Sequence, residues 1–573
     1  MGNLLLLAVI YNIKTVSAHR KDWWKYTTIY EIYIWSFMDS DGDGVGDMKG
    51  ISSKLDHFVD LGIETIWISP FFRSPMRDLG YDVANYTEVD PQFGSMEDFD
   101  ELMNEMKKRG LKLIVDFAIN HSSDDHLWFQ KSIEKVEPYT DYYVWKDAKG
   151  YNKNGDPIPP NNWISIFGGT AWKWNEKREQ FYYHQFAERQ PDLNLRNPIL
   201  KAEIKNIMKF WFDKGVDGAR LDATKHYIED LQLRDESCEN PSNNSYAYIS
   251  WDDCDHIYTT NLWESYEFIH ELREYVDTNF NTNDVEIILI AEAYTDSNHT
   301  LAYFGTPEYK IAHFPFNFGF VGLKTIPSPT SFDEAIKYWL MATPAHGVAN
   351  WVSENHDNFR TANRLMPEFM DIMVISILTL PGIACIYYGQ EIGMMGYPLR
   401  SDQIRDPNND GHDVGQTRDT ERLPMQWDSS KNGGFSSNTE TWLPVNPNYW
   451  QLNVESQKKD PNSRYNMFKA LSKLRKTKTL KYGNFKSFVV SSSVYAFARS
   501  LADQPTFITI LNLGAETELT HLHHSIPKLP ITMTVHAASI NSGYGPGDVV
   551  KSHPRFPETF VLRPMSAVVV STP

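Results

Sequence analysis

From about residue 29 to residue 480, short apolar runs of β-forming residues alternate with segments of helical periodicity. Ile29–Phe37 reads IYEIYIWSF and predicts a strand, and Thr65–Ile68 predicts another. Ser95 then opens a helix. Met96, Phe99, Leu102, Met103 and Met106 recur three and four residues apart, and Gly110 ends the run. Leu113–Phe117 is the next buried strand, and a helix over Ile199–Lys214 leads to a strand at Gly218–Ala223. Further strands are predicted at Ile287–Ala291, Tyr309–Phe314, Asn350–Ser353 and Ile383–Tyr388. Strands that alternate with helices form parallel sheets, and eight of them over this length predict a closed α/β barrel of the (β/α)8 TIM type.

Two segments break the rhythm. Residues 121–190 follow the third strand and are rich in aromatic residues, Gly, Pro and Asn. That is too long for a simple connection, so an inserted loop-rich subdomain is expected there. Residues 390–450 are polar and loop-rich. After the helix near Met467–Lys476 the pattern turns to alternating strands, as in Ser487–Arg499 and Phe507–Leu513, which predicts an all-β C-terminal domain. The expected organisation is a signal peptide at 1–18, barrel at 19–120, subdomain at 121–190, barrel again at 191–480, and the β-domain at 481–573. The signal peptide is read from the short apolar run Leu4–Ile10 followed by Val16-Ser17-Ala18. No stretch is long enough to cross a membrane, so the reading is a secreted chain without a visible anchor.

The 573 residues carry 55 basic and 74 acidic side chains, a net charge of −19. This field repels phosphate and anionic lipid, which excludes a nucleic-acid partner and adhesion to an acidic membrane. Aromatic residues make up 14%, enough for a large core and also suited to stacking on sugar rings. Cys238 and Cys254 flank a polar segment, where an oxidising compartment would allow one bridge. Cys385 lies in the apolar run GIACIYY and reads as a buried thiol. Asn85, Asn243 and Asn298 begin glycosylation sequons. Nothing in the sequence sets the oligomeric state.

Acidic residues fall where the predicted strands end: Asp116 in LIVD, Asp222 in GARLD, Glu292 in ILIAE, and Asp357 after NWVSENH. In such a barrel the C-terminal strand ends form the functional face, so four carboxylates converge on one mouth. Arg220 stands two residues before Asp222, on the same side of its strand. A single acid there is most simply a cap or loop residue. Several together suit glycoside hydrolysis, in which one carboxylate attacks and another moves the proton.

The motifs DFAINH (116–121), GARLDATKH (218–226), AEAY (291–294) and ENHD (354–357) resemble the sequence regions of glycoside hydrolase family 13, the α-amylase superfamily. QPDLN (190–194), IYEIYIWSFMDSDGDGVGD (29–47), WNEKREQFYYHQF (174–186), YYGQEIGM (387–394) and MQWD (425–428) resemble its insect maltase and α-glucosidase branch. The resemblance spans nearly the whole chain after residue 20. It implies a retaining exo-α-glucosidase acting on short saccharides. Asp222 would be the nucleophile, Glu292 the acid/base, and Asp357 the group that stabilises the transition state. Tyr81 and Asp82 in LGYD, with His121, Arg220 and His356, would bind or orient the sugar in the −1 subsite. Arg418 would hold its far side, with Arg422 a rival for that role. Asn120, although in a sequon, would serve the pocket. Glu292 must start protonated, so burial among other acids is expected to raise its pKa.

Asp39, Asp41, Asp43, Val45 and Asp47 place oxygen ligands at alternate positions of a glycine-rich turn, which suits Ca²⁺. The resemblance implies a structural ion away from the catalytic centre. Ala223, a small residue after the nucleophile, implies preference for α-1,4 over α-1,6 bonds, hence maltose-like or sucrose-like substrates. Trp35, Ile119, Glu354 and Leu423 depart from the family pattern without removing a catalytic group. Glu354, two residues from His356, is expected to bear on the subsite for the leaving group. Two other functions stay open: a glucosyl-transfer enzyme using sucrose, and a catalytically idle transporter subunit or receptor.

Overall fold

The computed structural model describes residues 22–238, 250–407, 417–519, 522–527, 529–553, 555 and 560–573. Residues 1–18, expected to be a leader, and the sequon at Asn243 lie outside these residues. Eight parallel strands form the central sheet: β1 Thr28–Ile32, β2 Thr65–Ile68, β3 Lys112–Phe117, β4 Gly218–Leu221, β5 Ile288–Ala291, β6 Phe314–Pro315, β7 Asn350–Val352 and β8 Ile383–Tyr387. Their order is β6-β5-β4-β3-β2-β1-β8-β7. No backbone ladder joins β6 to β7. Side-chain amides close that seam instead: Asn350 Oδ1 accepts from Asn317 N at 2.8 Å and Asn350 Nδ2 donates to the Pro315 carbonyl at 2.7 Å. The result is the TIM barrel that the alternation predicts.

Two strands differ from their expected spans by more than two residues. β1 stops at Ile32, and Ile34–Phe37 turns into a short helix. Both pieces are wholly buried, so the apolar run carries no period that marks the change. β6 is only Phe314–Pro315: of the expected Tyr309–Phe314, Phe314 alone pairs with β5, and Lys310 bridges back to Gly305 instead.

The helices begin and end where capping chemistry allows. Met96–Lys108 starts from a capping box in which Ser95 and Asp98 satisfy each other's backbone N–H groups. Gly110, at φ +69°, reverses the chain beyond it. Pro198–Asp213 starts on Asn197, with Pro198 at the first helical position, and buries Leu200, Ile204, Met208 and Trp211 against the barrel.

Between β3 and β4 the chain builds a helix at Leu127–Ile133 and an antiparallel sheet of Trp145–Lys146, Gln180–Tyr183 and Trp172–Asn175. This unit has its own small core of Val144, Trp163, Ala171, Trp172, Phe181 and Tyr183. Beyond the barrel, Asn484–Val489, Val494–Ser500, Phe507–Asn512, Ser566–Ser571, Thr532–Ala538 and Val549–Lys551 form one antiparallel sheet in that order. The run Ser487–Arg499 is thus a hairpin. Along Val494–Ser500 the alternation is explicit: Val494 and Ala496 enter the outer core, while Tyr495 and Phe497 pack on the barrel side. No helix among the described residues is long and apolar enough to cross a membrane.

Candidate active site

The register between β3 and β4 pairs Asp116 with Arg220. Arg220 Nη1 donates to Asp116 Oδ1 at 2.8 Å and Oδ2 at 3.0 Å, and also contacts Asp222 Oδ1. Its other terminal nitrogen, Nη2, lies 3.6 Å from Glu292 Oε2, at the end of β5. Three carboxylates therefore share one buried guanidinium. Ala223 completes the grip. Its backbone is left-handed at φ 52°, which turns its N–H onto Glu292 Oε2 at 2.7 Å. Burial raises the Glu292 pKa to about 7, and the negative charge of Asp222 adds to the rise against the opposing pull of Arg220. One cation cannot neutralise three acids, and Glu292, the most distant, stays protonated below about pH 7.

Asp357 lives under the opposite balance. Burial disfavours its charge, yet His356, Arg418 and Arg422 together hold its pKa well below the usual carboxylate range. Arg418 Nη1 and Arg422 Nη2 each donate to Asp357 Oδ1 at 3.0 Å. His356 Nε2 stands 3.3 Å from Asp357 Oδ2 and 2.7 Å from the Tyr81 hydroxyl. The rival arginines thus share the acid, but only Arg418 lines the cavity; Arg422 is buried behind it. Arg418 is itself fixed by Asp406, with Nη2 to Oδ1 at 2.6 Å.

These groups surround a cavity of about 360 Å³, an ordinary size for a small-ligand site. Asp78, Tyr81, His121, Asp222, Glu292, Asp357 and Arg418 line it. Burial lowers the His121 pKa to about 4, so its imidazole is neutral near pH 7. His356 and Arg220 are not on the cavity surface but directly behind it. Asn120 is buried and donates to Asp192 Oδ2 at 2.9 Å, which leaves it no access to glycan-building enzymes.

Asp82 is not in the cavity. It is fully buried, and its carboxylate accepts from the Ser74 hydroxyl at 2.9 Å and from the N–H groups of Arg77 at 3.0 Å and Asp78 at 2.9 Å. It supports the loop. Asp78, four residues earlier, is the acid that faces the sugar-sized space, held by Gln190 Nε2 at 2.8 Å. Leu79 at φ 52° and Gly80 at φ 109° reverse the chain between the two acids, so neighbours in sequence face opposite ways. Glu31 was also missed. It is an acid inside the apolar β1, and its Oε1 lies 2.6 Å from His356 Nδ1. An acidic residue within IYEIY is itself the signal. Glu354 is buried away from the cavity, with Oε1 accepting from Thr361 N at 2.9 Å, so it does not shape the leaving-group side directly.

The alpha amylase catalytic-domain model matches residues 31–483. The chain belongs to the alpha-amylase family. Maltase 1 of Drosophila virilis is 40% identical over 96% of this chain and 87% of its own length. An amino acid transporter heavy chain of Homo sapiens is 38% identical over 95% of this chain and 78% of its own. Among solved structures, the alpha-glucosyl transfer enzyme XgtA superposes with a TM-score of 0.80 at 31% identity, covering 96% of this chain and 99% of that one. This alpha-amylase family member is a glycoside hydrolase: the family's barrel carries its acids at the strand ends, and the maltase likeness runs along nearly the whole chain.

A second acidic group lies after β1. Asp39, Asp41 and Asp43 bring carboxylate oxygens within 4.8 Å of one another. Asp47 is not among them. It caps the helix Met48–Ser53, with Oδ1 accepting from Gly50 N at 2.7 Å and Oδ2 from Ser40 N at 2.6 Å. Val45 donates its N–H to Asp43 Oδ1 at 2.8 Å. The donor set of hard, mutually repelling carboxylate oxygens fits a cation such as Ca²⁺.

Proposed function

We propose that the protein is a secreted, retaining exo-α-glucosidase that releases glucose from the non-reducing end of short α-1,4-glucosides such as maltose, and from sucrose. The observation that carries this reading is the sharing of Arg220 by Asp222 and Glu292 at the wall of one cavity. Carboxyls gripped by one guanidinium stand close, and a double displacement requires a separation of about 5–5.5 Å.

Asp222 Oδ attacks the anomeric carbon as Glu292 gives its proton to the departing oxygen, leaving a glucosyl ester on Asp222. Water then enters, Glu292 takes its proton, and the new C–O bond forms as the ester bond breaks. Asp357, kept anionic by its arginines, faces the positive charge that develops on the sugar. Asp78, His121 and Tyr81 line the cavity and would bind the glucose hydroxyls and ring. Ile166, Phe167 and Phe186, from the segment between β3 and β4, roof the cavity and favour short substrates and end-wise attack.

A Ca²⁺ at Asp39, Asp41 and Asp43, with the Val45 carbonyl, would neutralise the turn and stiffen it, without touching the chemistry. The 1–18 leader, the disulfide Cys238–Cys254 and the exposed sequon at Asn298 support secretion.

Glucosyl transfer is the second reading, because the same ester can yield its glucose to a sugar, and the likeness to a solved transfer enzyme favours keeping it. The idle reading, suggested by the transporter heavy chain, is disfavoured by the complete set Asp222, Glu292 and Asp357 in one cavity. The test is a product assay on maltose, isomaltose, sucrose and soluble starch, with Asp222→Asn as control. Glucose from maltose, little from starch, and a loss of several orders of magnitude in the variant are expected. Absence of turnover on all four would overturn the reading.

A further inference from the structure

The cavity has two unlike ends. Asp78, Tyr81, His121, Asp357 and Arg418 form a polar end suited to one glucose. The other end follows Asp222 along the chain to Lys225 and His226 and lies on the Glu292 side: Thr224 Oγ1 donates to the Glu292 carbonyl at 2.7 Å and Lys225 Nζ to the Tyr294 carbonyl at 2.8 Å. That is where the acid must meet the leaving group. Trp251 lines this end, although it belongs to an excursion of the chain between β4 and β5, and His226 meets its ring edge-on at 5.7 Å.

The excursion is braced at its base. The disulfide Cys238–Cys254 ties its two limbs. Buried Glu236 accepts from the Thr259 hydroxyl at 2.8 Å and pairs with His256 Nδ1 at 2.9 Å. The other His256 nitrogen reaches the Trp251 carbonyl at 2.6 Å, and the His256 ring lies face to face with the indole, 4° from parallel. His256 adopts φ 48°, a left-handed conformation unusual for such a residue, which the surrounding bonds must hold. Asn162 exchanges two 2.8 Å hydrogen bonds with the Glu236 backbone, which joins the brace to the unit that supplies Phe167 and Phe186. A half-buried indole fixed this firmly at the cavity wall has the build of a sugar-stacking platform.

Resting on the glucosidase reading, we infer that Trp251 is a specificity-determining residue: its indole stacks on the sugar that leaves, and the Cys238–Cys254 bridge positions it. The experiment compares kcat/KM for maltose with kcat/KM for α-glucosyl fluoride, whose leaving group places no sugar against Trp251. In Trp251→Ala the maltose-to-fluoride ratio should fall about three- to tenfold, the worth of one aromatic contact. Trp251→Phe should restore most of it. The paired variant Cys238→Ser/Cys254→Ser should lower the ratio in the same direction, through KM. An unchanged ratio in Trp251→Ala overturns the stacking role, and an unchanged ratio in the paired variant overturns the positioning role of the bridge. If the unaltered enzyme turns over neither substrate, the glucosidase reading itself falls.

Discussion

Raising the pH from 6 to 8 should strip the proton from Glu292 and most of the activity with it. Its pKa is pushed up to about 7 by burial and by the charge of Asp222. A group with that pKa is about 90% protonated at pH 6 and about 10% at pH 8, so kcat/KM on maltose should fall roughly ninefold between them. The sign follows from the role: the acid is needed protonated at the first step, so the loss lies on the alkaline side. Because the folded pKa lies above that of an unfolded glutamate, any stability from this group is complete below the unfolded pKa and lost as pH rises through 7. Glu292→Gln keeps an acceptor for the Ala223 N–H but has no proton to give. It should cost 10²–10⁴-fold on maltose, and far less on α-glucosyl fluoride, whose leaving group needs no proton. The assay is a pH profile for both substrates, with wild type and variant in parallel. A wild-type maltose profile flat to pH 8.5, or equal losses on both substrates in the variant, would refute this assignment.

Two further outcomes are expected. Asp78→Ala should lower kcat/KM about ten- to a hundredfold with little change in melting temperature, while Asp82→Ala should destabilise the fold by about 2–4 kcal/mol through its unpaired N–H groups; kinetics and calorimetry on both separate the two roles. Chelation of Ca²⁺ should lower the melting temperature while kcat at low temperature is nearly unchanged, and an identical melting curve would count against the site at Asp39, Asp41 and Asp43.

The barrel was legible because half of its strands give way at once to a polar residue that breaks the apolar run, as Leu221 does to Asp222 and Ala291 to Glu292. Where both sides of a boundary are buried, as at Ile32 and Ile34, hydrophobicity has no contrast to offer, and the boundary was misplaced. The acids on strand ends were readable for a geometric reason: period two puts Arg220 and Asp222 on one side. Asp78 was not, because the turn at Leu79–Gly80 decides which acid faces the cavity, and φ angles are not written in the residue order. The choice between Arg418 and Arg422 was open for a similar reason: both reach Asp357, and only depth distinguishes them. Trp251 could not have been found, since its place depends on a bridge and a buried pair that bring a distant excursion to the barrel mouth.

The ester on Asp222 is the claim from which the rest follows, and it can be weighed. A fluorinated glucosyl fluoride that reacts quickly but hydrolyses slowly should add one sugar mass to the intact protein. Proteolysis and mass spectrometry should then place that mass on Asp222, within GARLDATKH. A protein that turns over substrate but never gains the mass, or gains it on another residue, would contradict the account.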